Sequence, residues 1–208
     1  RGRQQLAGFE AGATYGHNMR QFGAKYTGAA ADYTGLGIDQ LAAAIETLKH
    51  DPTDRRIIIN LWDPNSLTDA ALPPCLLMYI FYVADGRLSC MAIQRSADLI
   101  LGVPFNIASS SLFTHILANM VGLLPGEVDH NMTNVHIYES HFEAAAEQLL
   151  RRPFAKCALE MPKKDDGSVK KLTLADIDAK PRILSARDFR LIGYRHWPKL
   201  KNATEMCA

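Results

Sequence analysis

The sequence predicts an α/β (α+β) fold: a single domain over residues 1–208, with a mixed central β-sheet packed with helices. Three observations predict it. Two apolar runs, LLMYIFYV and RLSCMAIQ, flank Ala84-Asp85-Gly86 and read as paired strands around an Asp-Gly turn. The stretch FNIASSSLFTHILANMVGLL is apolar almost all round, as a helix in the centre of a domain is. IDQLAAAIETLKH and ESHFEAAAEQLLR carry the helical period that lets a helix cover a sheet.

In chain order, residues 1–35 are rich in Gly, Ala and Tyr and read mostly as loop, with one compact cluster, TYGHNMRQFG. From Ile38, an apolar face of Ile38, Leu41, Ile45 and Leu48 predicts a helix with Asp39 in its first turn. Asp51-Pro52 ends it. DRRIIINLW reads as a buried strand and DPNSLTDAALPP as a loop. The strand pair around Asp85-Gly86 follows. Pro104 suits the first turn of the long helix and Gly122 its end. EVDHNMTNVHIY reads as a further strand, and residues 139–151 as a second amphipathic helix. The charged segment 163–180 around Asp166-Gly167 reads as an exposed hairpin or loop, and FRLIGY as a short closing strand.

Composition narrows the class. Of 208 residues, 48% are hydrophobic and 22% charged, which is ordinary for a soluble globular protein. A net charge of +1 gives no bulk electrostatic case for nucleic acid or an acidic membrane. No apolar run approaches the ~20 residues that span a bilayer. The first residues lack the apolar core of a secretory signal and an initiator Met, so the chain is expected to begin part-way through a longer product. The four cysteines form no C-x-x-C pair and have no histidine at zinc spacing. Reduced thiols, a cytoplasmic location and no metal are expected.

Residues 72–109 carry most of the chemistry. Cys75 follows two prolines, which present the thiol from a stiff corner. A thiolate is a strong nucleophile, and a nearby cation favours it. Cys90, in an apolar run, reads as a core residue. Arg95 closes an apolar strand and is followed by Ser96, so a guanidinium and a hydroxyl are offered to a phosphate. Arg55 and Arg56, at the start of another strand, can act similarly. Asn106 carries a donor and an acceptor on one amide, the complement of one edge of uracil, where an Asp would only accept. By itself Asn106 would read as a helix cap. His136 and Tyr138 alternate along a strand and point to one side, suited to a sugar hydroxyl. His115 and His141 read as structural.

These residues lie in segments that resemble the thymidylate synthase family. The segments are TYGHNMRQFGAKY, DPTDRRIIINLWDP, ALPPC, FYVADGRLSC, QRSADLILGVPFNIAS and HIYESH, with a looser match at DFRLIGYRHWPKLK. The resemblance implies that Cys75 attacks ring carbon 6 of dUMP. Ring carbon 5 then takes a one-carbon unit from methylenetetrahydrofolate, and hydride transfer gives dTMP and dihydrofolate. It implies phosphate held by Arg95 and Ser96, and by Arg55 and Arg56 from the partner subunit of a homodimer. Asn106 would read the uracil edge. His136 and Tyr138 would hold the sugar, with Ala97 and Ile137 among the nucleotide contacts. Asp98 would touch both nucleotide and folate, and Tyr15 would assist proton removal. Gly102, Phe105 and the C-terminal residues around Cys207 would line the folate side.

The sequence also departs from the family. The upstream segment that supplies a glutamate, a further phosphate arginine and a tryptophan beside the nucleophile is not in this sequence, and Glu10 does not match the glutamate's motif. Leu76 stands where a histidine usually follows the nucleophile, and Thr133-Asn134 where the family has Gly-Asp. The alternatives are a dUMP hydroxymethylase, in which water replaces hydride, and a truncated nucleotide-binding homologue without catalysis.

Overall fold

The structure is a computed structural model that describes residues 10–179 and 184–200. Its sheet has four strands in the order β1-β2-β3-β4: Ile58–Asn60, Leu76–Ala84, Arg87–Asp98 and Leu124–His136. β1 runs antiparallel to β2, and β2 antiparallel to β3. The expected hairpin is present. Asp85 and Gly86 have φ of 51° and 71°, the pair of left-handed residues that a tight two-residue hairpin turn demands. Its register pairs Phe81 with Cys90 and Tyr79 with Ala92.

That register sorts the side chains. Ile59, Tyr79, Phe81, Cys90 and Ala92 are buried on one face, and each large one contributes about 1.5–3 kcal/mol by leaving water. Tyr79, Phe81 and Phe113 form an aromatic cluster there, with ring centroids 5.1–6.1 Å apart. The other face carries Ile58, Ile80 and Met91 in one cross-strand row, and Met78 beside Ile93. Ile58 and Met91 on that face are exposed. β1 is therefore a half-buried edge strand, not the buried strand expected from DRRIIINLW. Among the described residues it has a single hydrogen-bonded strand neighbour, and only alternate residues (Ile57, Ile59, Leu61) meet the core.

Helix α1, Tyr15–Arg20, interrupts the stretch expected to be mostly loop. It has six residues, too few for a helical period to stand out in the sequence. Helix α2 is Gln40–His50. Asp39 caps it rather than lying inside its first turn, accepting the Ala42 N–H at 3.0 Å, and Ile38 lies outside the helix and is exposed. Arg20 of α1 grips the same carboxylate through Nε and Nη2 at 3.0–3.1 Å. One aspartate thus starts α2 and ties it to α1. A 3-10 helix, Pro64–Asp69, occupies part of the expected loop before Cys75.

Helix α3, Gly102–Val121, starts two residues ahead of Pro104 and ends at Gly122. Gly122 has φ of 80°, and the Leu123 N–H reaches the Ala118 carbonyl at 2.9 Å, the usual left-handed close of a helix. Burial corrects the expectation of a helix buried all round. Ser110, Thr114, Leu117 and Ala118 are buried, whereas Phe105 and Ile107 in the first two turns are exposed.

The chain's contacts divide into two compact units: residues 1–97 with 107–135, and residues 98–106 with 136–208. In the second, helix α4 (Phe142–Leu150) follows a 3-10 turn, and β5 (Ala158–Glu160) pairs antiparallel with β6 (Arg190–Ile192). β6 is the expected closing strand; its partner β5 has three residues and no clear alternation. In the 163–180 segment Lys163 bridges Val169 around Gly167, as the hairpin reading expects, and helix α5 (Leu174–Asp178) follows with a Thr173/Asp176 capping box. Trp197 donates its indole N–H to the Arg152 carbonyl at 2.9 Å, tying down the end of the described chain.

Candidate active site

In the first unit, Cys75 sits immediately before β2, behind Pro73 and the buried Pro74. Arg95, on β3, holds this corner from three directions. Its Nε donates to the Pro74 carbonyl at 2.9 Å and its Nη2 to the Pro73 carbonyl at 3.0 Å. Its backbone N–H donates to the Cys75 carbonyl at 2.8 Å. The same Nη2 stands 3.9 Å from Cys75 Sγ, so a fixed positive charge faces the sulfur. The Trp62 ring lies against the guanidinium, 5.5 Å from centroid to Cζ. Tyr15, the first residue of α1, accepts the Cys75 N–H on its hydroxyl at 2.9 Å.

The clasp commits the Nε–Nη2 edge of Arg95 to the proline carbonyls and leaves the Nη1–Nη2 end of the guanidinium as the side on which two parallel hydrogen bonds to a phosphate can form. The sequence did not single out Trp62 or the proline carbonyls. A carbonyl leaves no residue-type signature, and Trp62 is 33 positions from Arg95 in the chain. Nor is there a sequence signal for the irregular register between Leu76 and Met78, a bulge next to Cys75 that turns the Leu77 carbonyl onto the Leu61 N–H at 2.7 Å. Leu76, the residue after Cys75 that departs from the family's usual histidine, is buried.

Ser96 and Ala97 follow Arg95 on β3, Ala97 fully buried. Arg55 and Arg56 precede β1 and are exposed, beside a hollow of about 410 Å³ also lined by Asp51, Thr53 and Asp54. Arg56 pairs with Asp54 at 2.8 Å, and that guanidinium holds the Asp54 carboxyl below its ordinary range. Among the described residues neither arginine bonds to Cys75 or Arg95.

The second unit carries the other expected site residues. The Asp98 carboxylate accepts the N–H groups of Ile100 at 3.0 Å and Leu101 at 3.4 Å, so it organises the approach to α3. Asn106 lies one turn inside α3 and is not its cap. Gly102 stands between them. A Cβ there would lie 3.4 Å from Asp98 Cβ and 3.6 Å from Asn106 Oδ1, so glycine keeps the space beside both polar groups open. Phe105 is 73% exposed.

His136 ends β4, and its carbonyl accepts the Leu99 N–H at 3.0 Å. Tyr138 is not a strand residue, as expected, but the residue that leads into the 3-10 turn. Tyr138 is itself extended, and its ring still meets that of His136, edge to face at 5.0 Å. His141, read as structural, is buried behind Tyr138 at 6.0 Å between ring centroids. Cys207 lies outside the described residues. Among the described residues no cluster of three or more His, Cys, Asp or Glu is placed to hold a metal, and no helix is long and apolar enough to cross a membrane.

Comparison with known proteins places these segments together. Residues 6–206 match the family described as thymidylate synthase. A thymidylate synthase of human herpesvirus 8 is 54% identical over 142 residues, covering 68% of this chain and 42% of that protein. Human thymidylate synthase is 42% identical over 194 residues, covering 91% of this chain and 56% of the human one. A bifunctional dihydrofolate reductase-thymidylate synthase of Zea mays is 43% identical over 192 residues, covering 91% and 34%. The chain thus spans from about a third to three-fifths of the length of such relatives. With nearly its whole length matched, and its PPC, QRS, PFN and HIY segments in order, the chain belongs to the thymidylate synthase family.

Proposed function

We propose that this chain carries the methyltransferase chemistry that converts dUMP to dTMP. The observation that carries the proposal is the clasp on Cys75: a thiol on a proline corner, a guanidinium 3.9 Å from its sulfur and a tyrosine hydroxyl on its own N–H. Family membership and relatives named thymidylate synthase support the substrate.

The Cys75 thiolate adds to ring carbon 6 of dUMP, which makes ring carbon 5 a carbon nucleophile. Negative charge then grows on the pyrimidine carbonyl, and the Asn106 amide meets it and the adjacent N–H. Carbon 5 takes the one-carbon unit and loses its proton with help from Tyr15. The Tyr15 oxygen already accepts one N–H, which orients its hydroxyl. Reduction of the new exocyclic carbon and release of Cys75 give dTMP. Arg95 and Ser96 hold the phosphate, Ala97 and Ile137 contact the nucleotide, and His136 and Tyr138 hold the sugar hydroxyl.

The family uses methylenetetrahydrofolate as co-substrate, and when bound it supplies the one-carbon unit and the hydride. The residues fit a flat heterocycle: Phe105 offers an exposed ring, Gly102 leaves room, and Asp98 offers an acceptor. Cys207 belongs to the same proposed wall.

A homodimer completes the reading. Arg55 and Arg56 reach the phosphate bound by the partner subunit. The apolar sheet face of Ile58, Ile80 and Met91 supports it, since a second copy would cover this face. The unpaired thiols Cys75, Cys90 and Cys157 go with a cytoplasmic location.

The test is product analysis with dUMP and methylenetetrahydrofolate. dTMP with equimolar dihydrofolate is expected, and Cys75→Ser abolishes it while retaining dUMP binding. 5-Hydroxymethyl-dUMP without dihydrofolate would overturn the reading in favour of a hydroxymethylase. Tight dUMP binding with no turnover, unchanged by Cys75→Ser, would leave only a binding protein.

A further inference from the structure

Behind the Arg95-Ser96 pair lies a side-chain chain that the proposed reaction does not use. Gln94 is 1% exposed. Its Nε2 donates to the Ser96 carbonyl at 2.6 Å, and its Oε1 meets His130 Nε2, also at 2.6 Å. The first bond needs an N–H and so fixes which end of the amide is which. Oε1 then faces the histidine and can only accept. His130 Nε2 must therefore carry the proton. Its Nδ1 is buried with no hydrogen-bond partner among the described residues, and burial pushes the imidazole below its ordinary pKa. A neutral ring with one committed N–H is a stable donor to the amide.

We infer that His130 is a positioning residue for the nucleotide phosphate, acting through Gln94 on the Ser96 peptide. His130 lies on β4, and Gln94 and Ser96 on β3. The histidine locks the rotamer of Gln94. The locked amide pins the Ser96 carbonyl and so sets the direction of the Ser96 hydroxyl and of the adjoining peptide. Arg95 is held separately by the proline carbonyls. The two phosphate contacts thus have different supports, and the His130 support reaches Ser96 through Gln94. Without the His130 N–H, Gln94 Oε1 loses a buried partner, and the amide can rotate or exchange its ends.

The inference rests on the proposed dUMP grip, so its test has two arms in the intact protein. The first reads the Gln94 side-chain amide protons by NMR hydrogen exchange, with no nucleotide present. They are protected in the parent protein, exposed in His130→Phe and protected again in His130→Gln, which restores an N–H donor. Unchanged protection in His130→Phe would overturn the relay. The second arm measures dUMP affinity and kcat. His130→Phe weakens dUMP binding about tenfold with kcat nearly retained, and His130→Gln recovers most of it. A fall in melting temperature with unchanged dUMP affinity would reduce His130 to a structural residue. A parent protein that does not bind dUMP would overturn the proposed function, while the exchange arm would still judge the relay.

Discussion

Cys75 and Cys90 lie fifteen positions apart and carry opposite chemistry because of what surrounds them. Cys75 is partly exposed with a guanidinium facing it, whereas Cys90 is fully buried on the core face of β3. Burial pushes the Cys90 thiol up to about 12 from an ordinary 9.0, so at pH 8 it holds roughly a thousandfold less thiolate than a free thiol. Alkylation at that pH, mapped by mass spectrometry, should therefore mark the exposed Cys157 quickly and Cys90 only after unfolding. Two half-buried histidines set an acid limb. Desolvation lowers both His115 and His130 from 6.5. The unfolded chain then takes up protons before the folded one. The stability these neutral rings contribute is present above about pH 6.5 and is lost as the pH falls through their lowered folded values. Urea midpoints measured between pH 7.5 and 5 should fall, and His115→Asn should flatten the decline. Both histidines show in the sequence only as single letters, and their burial depends on partners in other segments.

At the scale of the element, the strongest local signals translated directly. Alternation around Asp85-Gly86 gave a hairpin, because consecutive left-handed residues are cheap only for such a pair. Asp51 ends α2 where a following proline disfavours helix. Asp39 has two uses, and the sequence, which placed it in the first turn of the helix, showed neither in full. As a cap it accepts from Ala42, and as an ion partner it receives Arg20 from nineteen residues upstream. Asp39→Ala should thus cost more than a simple cap, about 1–2 kcal/mol, read as a lower urea midpoint with an unchanged slope. Asp39→Asn, which keeps the cap but weakens the pair, should fall between. Three of the short elements were illegible. α1, β5 and α5 have six, three and five residues, fewer than a helical or strand period needs to declare itself.

At the scale of the whole molecule, the sheet presents one satisfied face and one that is not. Ile58 and Met91 are exposed in the same cross-strand row as Ile80. Ile58→Asp or Met91→Lys should convert the proposed dimer to monomer in sedimentation velocity. Turnover should be lost with it, because in the proposed dimer Arg55 and Arg56 act on the partner's phosphate. The melting temperature should drop only modestly, since neither side chain belongs to the buried face. A dimer that survives both substitutions would remove this face from the interface.

The sequence by itself determined the fold class, the hairpin, both long helices and the family. It also determined which residue types stand in the PPC, QRS, PFN and HIY segments. These follow from local periodicity, turn chemistry and the order of short motifs, all written in neighbouring residues. Tertiary structure alone decided how the chemistry is arranged. It spent one edge of Arg95 on two proline carbonyls, set Trp62 against the guanidinium and put Tyr15 on the Cys75 N–H. It also moved Tyr138 out of the strand and left the first turns of α3 exposed. Each of these joins groups far apart in the chain, or turns on a backbone carbonyl or the approach of another element. Residue type and spacing carry no record of such distances.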